Sequence, residues 1–434
     1  MAAVRIPVDR DLSIDFARAF CLPIVVLLHA LQMGIGGDPL RAFNALDGFE
    51  PLAWATWPLM IMPVFFICGG FASITQWRRL RGHGETVSHY LRIRAIRLAQ
   101  PVVGLVAAVG AVLAIMLLAG VDAEFVRTFA VRLAEPLWFI PVYLICTAFV
   151  PTMSWLHRHA PWAAYLGLAA AVIVVDVLVR GFGVPVGALN WIFVWLFAQQ
   201  LGFGLRDGWF ARRSSFVLVA IAVGSYGVIG VLVTWFGYSH DMLDNLNPPT
   251  LAILALGLGQ ACLFALAQPL IRRMMRWRPM LGAVFVFGVY GMVIYLWHTF
   301  AMAVVTALQL AFGLPFPPVL SSAWWATRPL WITAIAVVVA GCCMVVPRIE
   351  SRWPKPVDRR TPLAAVLLWS ACAVAGVGVL LTLGYVPWQN GLLGWTLVTV
   401  AVIALIVGGP GSRLGNGAMS AEVPSAVPSS AARS

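Results

Sequence analysis

A chain of 434 residues with 61% hydrophobic residues, 11% charged residues and a mean hydropathy of +0.89 is not a soluble globular protein, because ordinary domains carry about 25% charged residues. Its near-continuous apolar runs lack the alternation of a β-barrel and imply an all-α polytopic membrane protein. The formal net charge of +12 resides in short loops between apolar segments, which is topological charge facing one side of a lipid bilayer and implies no nucleic acid.

In chain order, about twelve transmembrane helices are expected, near 14–34, 52–75, 96–119, 137–154, 162–180 and 186–205, then 215–236, 250–270, 286–312, 328–346, 362–384 and 393–409. Each is close to the ~20 residues needed to cross. The loops alternate between a basic set (Arg78 to Arg97, His157 to His159, Arg206 to Arg213, Arg272 to Arg278, Arg348 to Arg360) and a neutral or acidic set (Asp38 to Glu50, Asp122 to Glu135, Asp241 and Asp244). That pattern places both termini in the cytoplasm. Residues 1–13 are expected to be a cytoplasmic N-terminal segment without cleavable-signal design. Residues 14–347 form ten spans, 348–361 a basic cytoplasmic loop, 362–409 two additional spans, and 410–434 a Gly/Ser/Ala/Pro-rich disordered cytoplasmic tail. With no soluble catalytic domain expected at either end, chemistry would occur within the bundle. The seven cysteines all fall in apolar segments without metal-ligand spacing, so they read as packing residues and no metal is expected.

The first span, RDLSIDFARAFCLPIVVLLHALQM (10–33), carries Asp15, Arg18 and His29. Eleven residues separate Arg18 from His29, which at about 100° per residue returns to within roughly 20° of the same face and advances about 16 Å. Asp15 and Arg18 can pair on one helical face. Polar groups at such depth are costly and mark functional sites; a snorkelling Arg above a satisfied core His is the plainer reading of the same residues. A neutral His at depth can serve as a general base. The basic segment YLRIRAIRLAQP (90–101) offers Arg92, Arg94 and Arg97 either as topological anchors or as an anion clamp, since Arg forks suit phosphate. Trp138 follows Glu135 at the start of a span and fits an interfacial aromatic belt. Gly69 and Gly70 in MPVFFICGGFAS would allow close helix approach, and His298 in YLWHTFAM lies deep in the ninth span.

Taken together and in this order, the motifs resemble the membrane-bound acyltransferase 3 family of bacterial O-acyltransferases. Those motifs are Asp15-Phe16-Ala17-Arg18, the Arg18 to His29 spacing, FFICGGF (65–71), Arg94-x-x-Arg97 leading into Pro101, Leu137–Phe139, and Tyr295–His298; Asn247–Thr250 and Gln260 also look like a subgroup of that family. The match covers about residues 10–346, so that 14–347 would be a ten-helix acyltransferase core. The resemblance implies catalytic roles for His29, as base or acyl carrier, and for Arg18. It implies donor binding by Arg92, Arg94 and Arg97, with Asp15, Trp138, Tyr295 and His298 in support. No cofactor would be bound permanently; acyl-CoA would be the co-substrate. The partners would be that acyl donor and a hydroxyl-bearing acceptor, a carbohydrate or lipid-linked molecule of the cell envelope or of secondary metabolism, at the bacterial inner membrane. Trp138, Tyr143 or Tyr295 is the expected oxyanion donor. Where relatives often have His-Gln before Leu-Gly, this chain has Gln199-Gln200-Leu201-Gly202, so a supporting His is missing there. A twelve-span secondary transporter, with Asp15, Arg18, Asp176 and His298 in its pathway, is the alternative from another class.

Overall fold

The computed structural model describes residues 11–357, 361–385 and 390–408. Most of the expected N-terminal segment, Arg359, Arg360 and the expected disordered tail lie outside the described residues.

Helix α1 (Leu12–Gln32) is started by Asp11, whose carboxylate accepts from the backbone N–H of Ser13 at 2.9 Å and from its hydroxyl at 2.6 Å, satisfying donors that a helix start leaves open. A short antiparallel hairpin of β1 (Met33–Gly36) and β2 (Arg41–Asn44) follows, in register Met33 with Asn44 and Gly36 with Arg41.

The second span is two helices in series, α2 (Glu50–Leu59) and α3 (Met62–Gly82). The break has a local cause. Pro63 has no N–H to give to Leu59, and between the two helices the Met60 carbonyl accepts from Gln260 Nε2 at 2.8 Å. Helix α4 (Val87–Leu118) begins nine residues before the expected span, so Arg92, Arg94 and Arg97 lie on continuous helix rather than in a loop. The stretch expected as an acidic loop contains α5 (Ala123–Ala134), capped by Asp122 on Phe125 N at 2.9 Å. Its buried residues recur as Phe125, Val126, Phe129, Ala130, Leu133 and Ala134, a helical stripe that docks in the bundle although twelve residues are too short to cross. A 3₁₀ turn (Glu135–Trp138) leads into α6 (Phe139–His159).

The remaining elements are α7 (Pro161–Phe182), α8 (Asn190–Arg206), α9 (Ser215–Trp235), α10 (Leu251–Met274), α11 (Arg278–Ala311), α12 (Ser322–Glu350), α13 (Leu363–Leu383) and α14 (Asn390–Val407). Counting α2 with α3 and α5 with α6, twelve segments among the described residues are long and apolar enough to cross a membrane. The basic junctions meet at one face: Arg272 pairs with Asp11 at 2.7 Å, Arg78 forks onto Asp207, and Ser88 reaches the Thr361 carbonyl. At the opposite face the hairpin hydrogen-bonds α5, Ala42 N to Thr128 Oγ1 at 3.1 Å, and Trp57 donates to the His240 carbonyl at 2.7 Å.

Glycines set the closest packing, between α3 and α8. A Cβ on Gly70 would stand 2.4 Å from the Gln199 carbonyl oxygen, and one on Gly202 2.1 Å from that of Ile67. Backbone therefore touches backbone there, the small-residue packing of membrane helices. The two C-terminal spans pack on the rest of the bundle: Trp395 donates to the Val103 carbonyl at 3.0 Å, and Arg92 donates to the Leu405 carbonyl at 2.7 Å and the Ile406 carbonyl at 2.9 Å.

Candidate active site

Helix α1 brings His29 against His298 of α11, 269 residues away in the chain. His29 Nδ1 lies 3.0 Å from His298 Nε2, and the two ring planes are parallel within 7°. His298 is fully buried, and its Nδ1 lies 2.5 Å from the Tyr295 carbonyl oxygen. A carbonyl can only accept, so that Nδ1 carries hydrogen. With both rings neutral, His298 Nε2 then holds a lone pair and takes the hydrogen of His29 Nδ1. The free lone pair of the dyad falls on His29 Nε2. This nitrogen belongs to a ring that lines a small, partly open pocket together with Gln32, Met33, Arg132, Glu135, Pro136 and Met302.

Arg132 and Glu135 form an ion pair at i,i+3 on the cavity wall, and Arg132 Nε is buried without a hydrogen-bond partner. The arrangement sets a base, a cation with an unused donor, and a small pocket side by side. That is the constellation an acyl transfer needs: a proton acceptor for the nucleophile and a donor for the oxyanion.

One turn after another towards the N-terminal end of α1, the same stripe reaches Arg18. Its side chain is exposed, makes no hydrogen bond or ion pair among the described residues, and acts electrostatically on Arg97 and on the Tyr143 hydroxyl. Arg94 donates to Gln76 Oε1 at 3.2 Å, Ser73 Oγ at 3.3 Å and Tyr143 OH at 3.2 Å, and its Nε is buried without a partner. Arg18, Arg94 and Arg97 thus form one basic cluster. Arg92 is turned away from it, onto the carbonyls that end α14, where a cation is favoured by the helix dipole.

Over residues 11–346 the chain matches the model of the acyltransferase 3 family, described as an acyltransferase domain. The chain belongs to the acyltransferase 3 family. No curated protein and no solved structure matches it. The matched stretch takes in α1 to α11 and most of α12, and this membrane acyltransferase carries α13 and α14 beyond it.

Among the expected supporting residues of the acyltransferase, Tyr295 positions His298 through its carbonyl, while its hydroxyl donates to the Pro136 carbonyl at 2.5 Å. Trp138 stacks in an aromatic cluster with Phe66, Trp191 and Trp195. Tyr143 OH accepts from Arg94. The Tyr295 and Tyr143 hydroxyls are thus engaged with Pro136 and Arg94. Asp15 sits on α1 three residues before Arg18 and has a partner of its own. Asp176 is held by Asn190 Nδ2 at 2.7 Å, Tyr238 OH at 2.6 Å and Leu251 N at 2.8 Å, and so caps α10. Gln199, which stands where relatives have the His, donates to the Cys146 carbonyl at 2.9 Å, while the neighbouring Gln200 accepts at 3.0 Å from the ring of His157 on α6.

Arg132 and Glu135 escaped the reading of the sequence because their segment looked like an acidic loop. The available signal was a cation on the side opposite the basic loops, beside an amphipathic twelve-residue helix.

Proposed function

We propose that this membrane acyltransferase moves an acyl group from acyl-CoA to a hydroxyl of a carbohydrate, lipid-linked or other acceptor. The observation that carries the reading is the His29–His298 dyad with its outward lone pair on His29 Nε2. In this reading Arg18, Arg94 and Arg97 hold the donor phosphates at the basic face, which positive-inside counting makes cytoplasmic. The eleven residues from Arg18 to His29, about 16 Å of helix, are a distance the pantetheine arm can bridge.

His29 Nε2 removes the acceptor hydroxyl proton as its oxygen attacks the thioester carbonyl. The charge developing on the imidazole is shared with His298 through the Nδ1–H, and Arg132 stabilises the oxyanion. Collapse breaks the C–S bond, and the proton on His29 passes to the CoA sulfur. Direct transfer uses no other co-reactant.

The test is purified enzyme in nanodiscs with labelled acyl-CoA and a panel of hydroxyl acceptors, followed by CoA thiol release and by label in the product. His29→Gln should lower the rate by about 10²–10⁴-fold, the usual worth of a positioned general base, with the protein still inserted and folded. Full transfer by His29→Gln would falsify the mechanism.

A further inference from the structure

A second small, partly open cavity lies against the first on the side away from the basic cluster. Met33 lines both. Its wall includes Phe316, Pro317, Trp324, Trp331 and Arg328. Trp331 donates to the Ala30 carbonyl at 3.4 Å, which fixes this wall to the turn of α1 that carries His29.

Arg328 is the unusual member. It is 8% exposed, and it makes no hydrogen bond or ion pair among the described residues. Its guanidinium lies over two indoles, 4.5 Å from the Trp324 ring centre and 5.3 Å from that of Trp331, and its Nε is buried without a partner. The other arginine buried among the described residues, Arg92, spends its donors on carbonyls. Across the same face as Arg328, Arg127 pairs with Glu124, Arg132 with Glu135, and Arg180 bonds the carbonyls of Phe236 and Gly237. Stacking on indoles satisfies the π-faces of a guanidinium and leaves its in-plane N–H fork free. A buried cation of this kind is costly unless something completes it, and a planar fork fits an oxyanion.

We infer that Arg328 anchors the acceptor: the second cavity takes a phosphate or carboxylate carried by the hydroxyl-bearing acceptor and sets its hydroxyl towards His29. The inference rests on the acyltransferase reading for the word acceptor, but the binding of an oxyanion at Arg328 does not depend on turnover. Donor and acceptor then enter from opposite ends of one stripe, with the basic cluster at one end and Arg328 at the other.

The decisive experiment is made without acyl-CoA, on the full chain in phosphatidylcholine nanodiscs. Phenylglyoxal modification of Arg328 is read by mass spectrometry with glucose, glucose 6-phosphate, glucuronate or inorganic phosphate present, at fixed ionic strength, and with phosphatidylglycerol replacing part of the lipid. Protection by the anionic sugars and not by glucose supports a soluble or sugar-borne oxyanion. Protection by phosphatidylglycerol alone supports the same site filled by a lipid headgroup. No protection by any of them overturns the inference. By calorimetry, Arg328→Gln should weaken binding of the protecting anion by about tenfold or more, the worth of charge-assisted hydrogen bonds, Arg328→Lys should weaken it less, and His29→Gln should leave it unchanged. Equal binding by Arg328→Gln and the unaltered chain also overturns it. Loss of transfer in His29→Gln with unaltered anion binding in Arg328→Gln would sink the subsite and spare the function, and anion binding by a chain that transfers no acyl group would do the reverse.

Discussion

At His29 a single proton position decides the chemistry, and it is set by a residue the chain reaches 269 positions later. If His298 were exchanged for a residue that cannot fix the tautomer, His29 could place its hydrogen on Nε2 and lose its lone pair to the cavity. His298→Leu should therefore reduce kcat by about 10–100-fold, the usual cost of losing an orienting partner, while the donor KM changes little. The acid limb of the pH–rate profile should move, which a purely packing role for His298 would not cause; an unshifted profile with normal kcat would refute the relay. The arginines divide in the same way. Arg97→Gln should raise the donor KM by about tenfold, through a lost phosphate contact, whereas Arg92→Gln should leave the donor KM alone and lower thermal stability by loosening α14. Kinetics and melting curves on the two variants separate these roles. Arg18 and His29 were legible as a pair because helical spacing is local. The partner of His29 was not, because which His meets which depends on how α1 and α11 pack, and no spacing within either helix encodes that. Arg92 could not be told from Arg94 and Arg97 for the same reason: its partners are carbonyls of a helix more than three hundred residues on.

Between elements, the basic face is held by a lock of α3, α6 and the end of α8. Asp207 takes the Arg78 fork and lies 3.3 Å from His157 Nε2. Burial pushes its carboxyl up, but the Arg78 hydrogen bonds and His157 outweigh that and hold it well below the usual carboxylate range. The sign follows from linkage: a carboxyl whose folded value is depressed adds stability that is present above about pH 4, its unfolded value, and is lost as pH falls through the folded one. Asp207→Asn should melt below the unaltered chain at neutral pH, by about 1 kcal/mol or less because both partners are partly exposed, and the gap should close as the pH is lowered below about 4. A gap that stays constant across that range would show that the charge does not matter there. At this scale the helices were readable as apolar runs, and Gly69 and Gly70 announced a close approach that the α3–α8 contact confirms at Gly70. The break at Met60 and the docking of α5 were less so. Each depends on a distant partner, Gln260 for the Met60 carbonyl and the bundle interior for the apolar stripe of α5.

Over the whole molecule, charge sorts the junctions into two sets, and the contacts Arg272 with Asp11 and Ser88 with Thr361 show that the basic set shares one face. Geometry alone is symmetric about the membrane plane; the surplus of arginine is what gives the bundle a direction, because cytoplasmic loops retain cations during insertion. The expected orientation puts the Arg18, Arg94 and Arg97 cluster towards the cytoplasm, where acyl-CoA is made, and the Arg328 cavity towards the outer face. Single cysteines distinguish the two directions. Arg213→Cys, exposed between α8 and α9, should react with a membrane-impermeant thiol reagent in inside-out vesicles and not in intact cells. Leu314→Cys, exposed between α11 and α12, should behave in the opposite way. The seven native thiols are free but lie within the helices, five of them buried, so the unaltered chain supplies the background. Labelling of Arg213→Cys in intact cells would reverse the bundle, and with it the side from which the donor must come. The dyad would survive that reversal, but the assignment of donor to the basic cluster and acceptor to Arg328 would not.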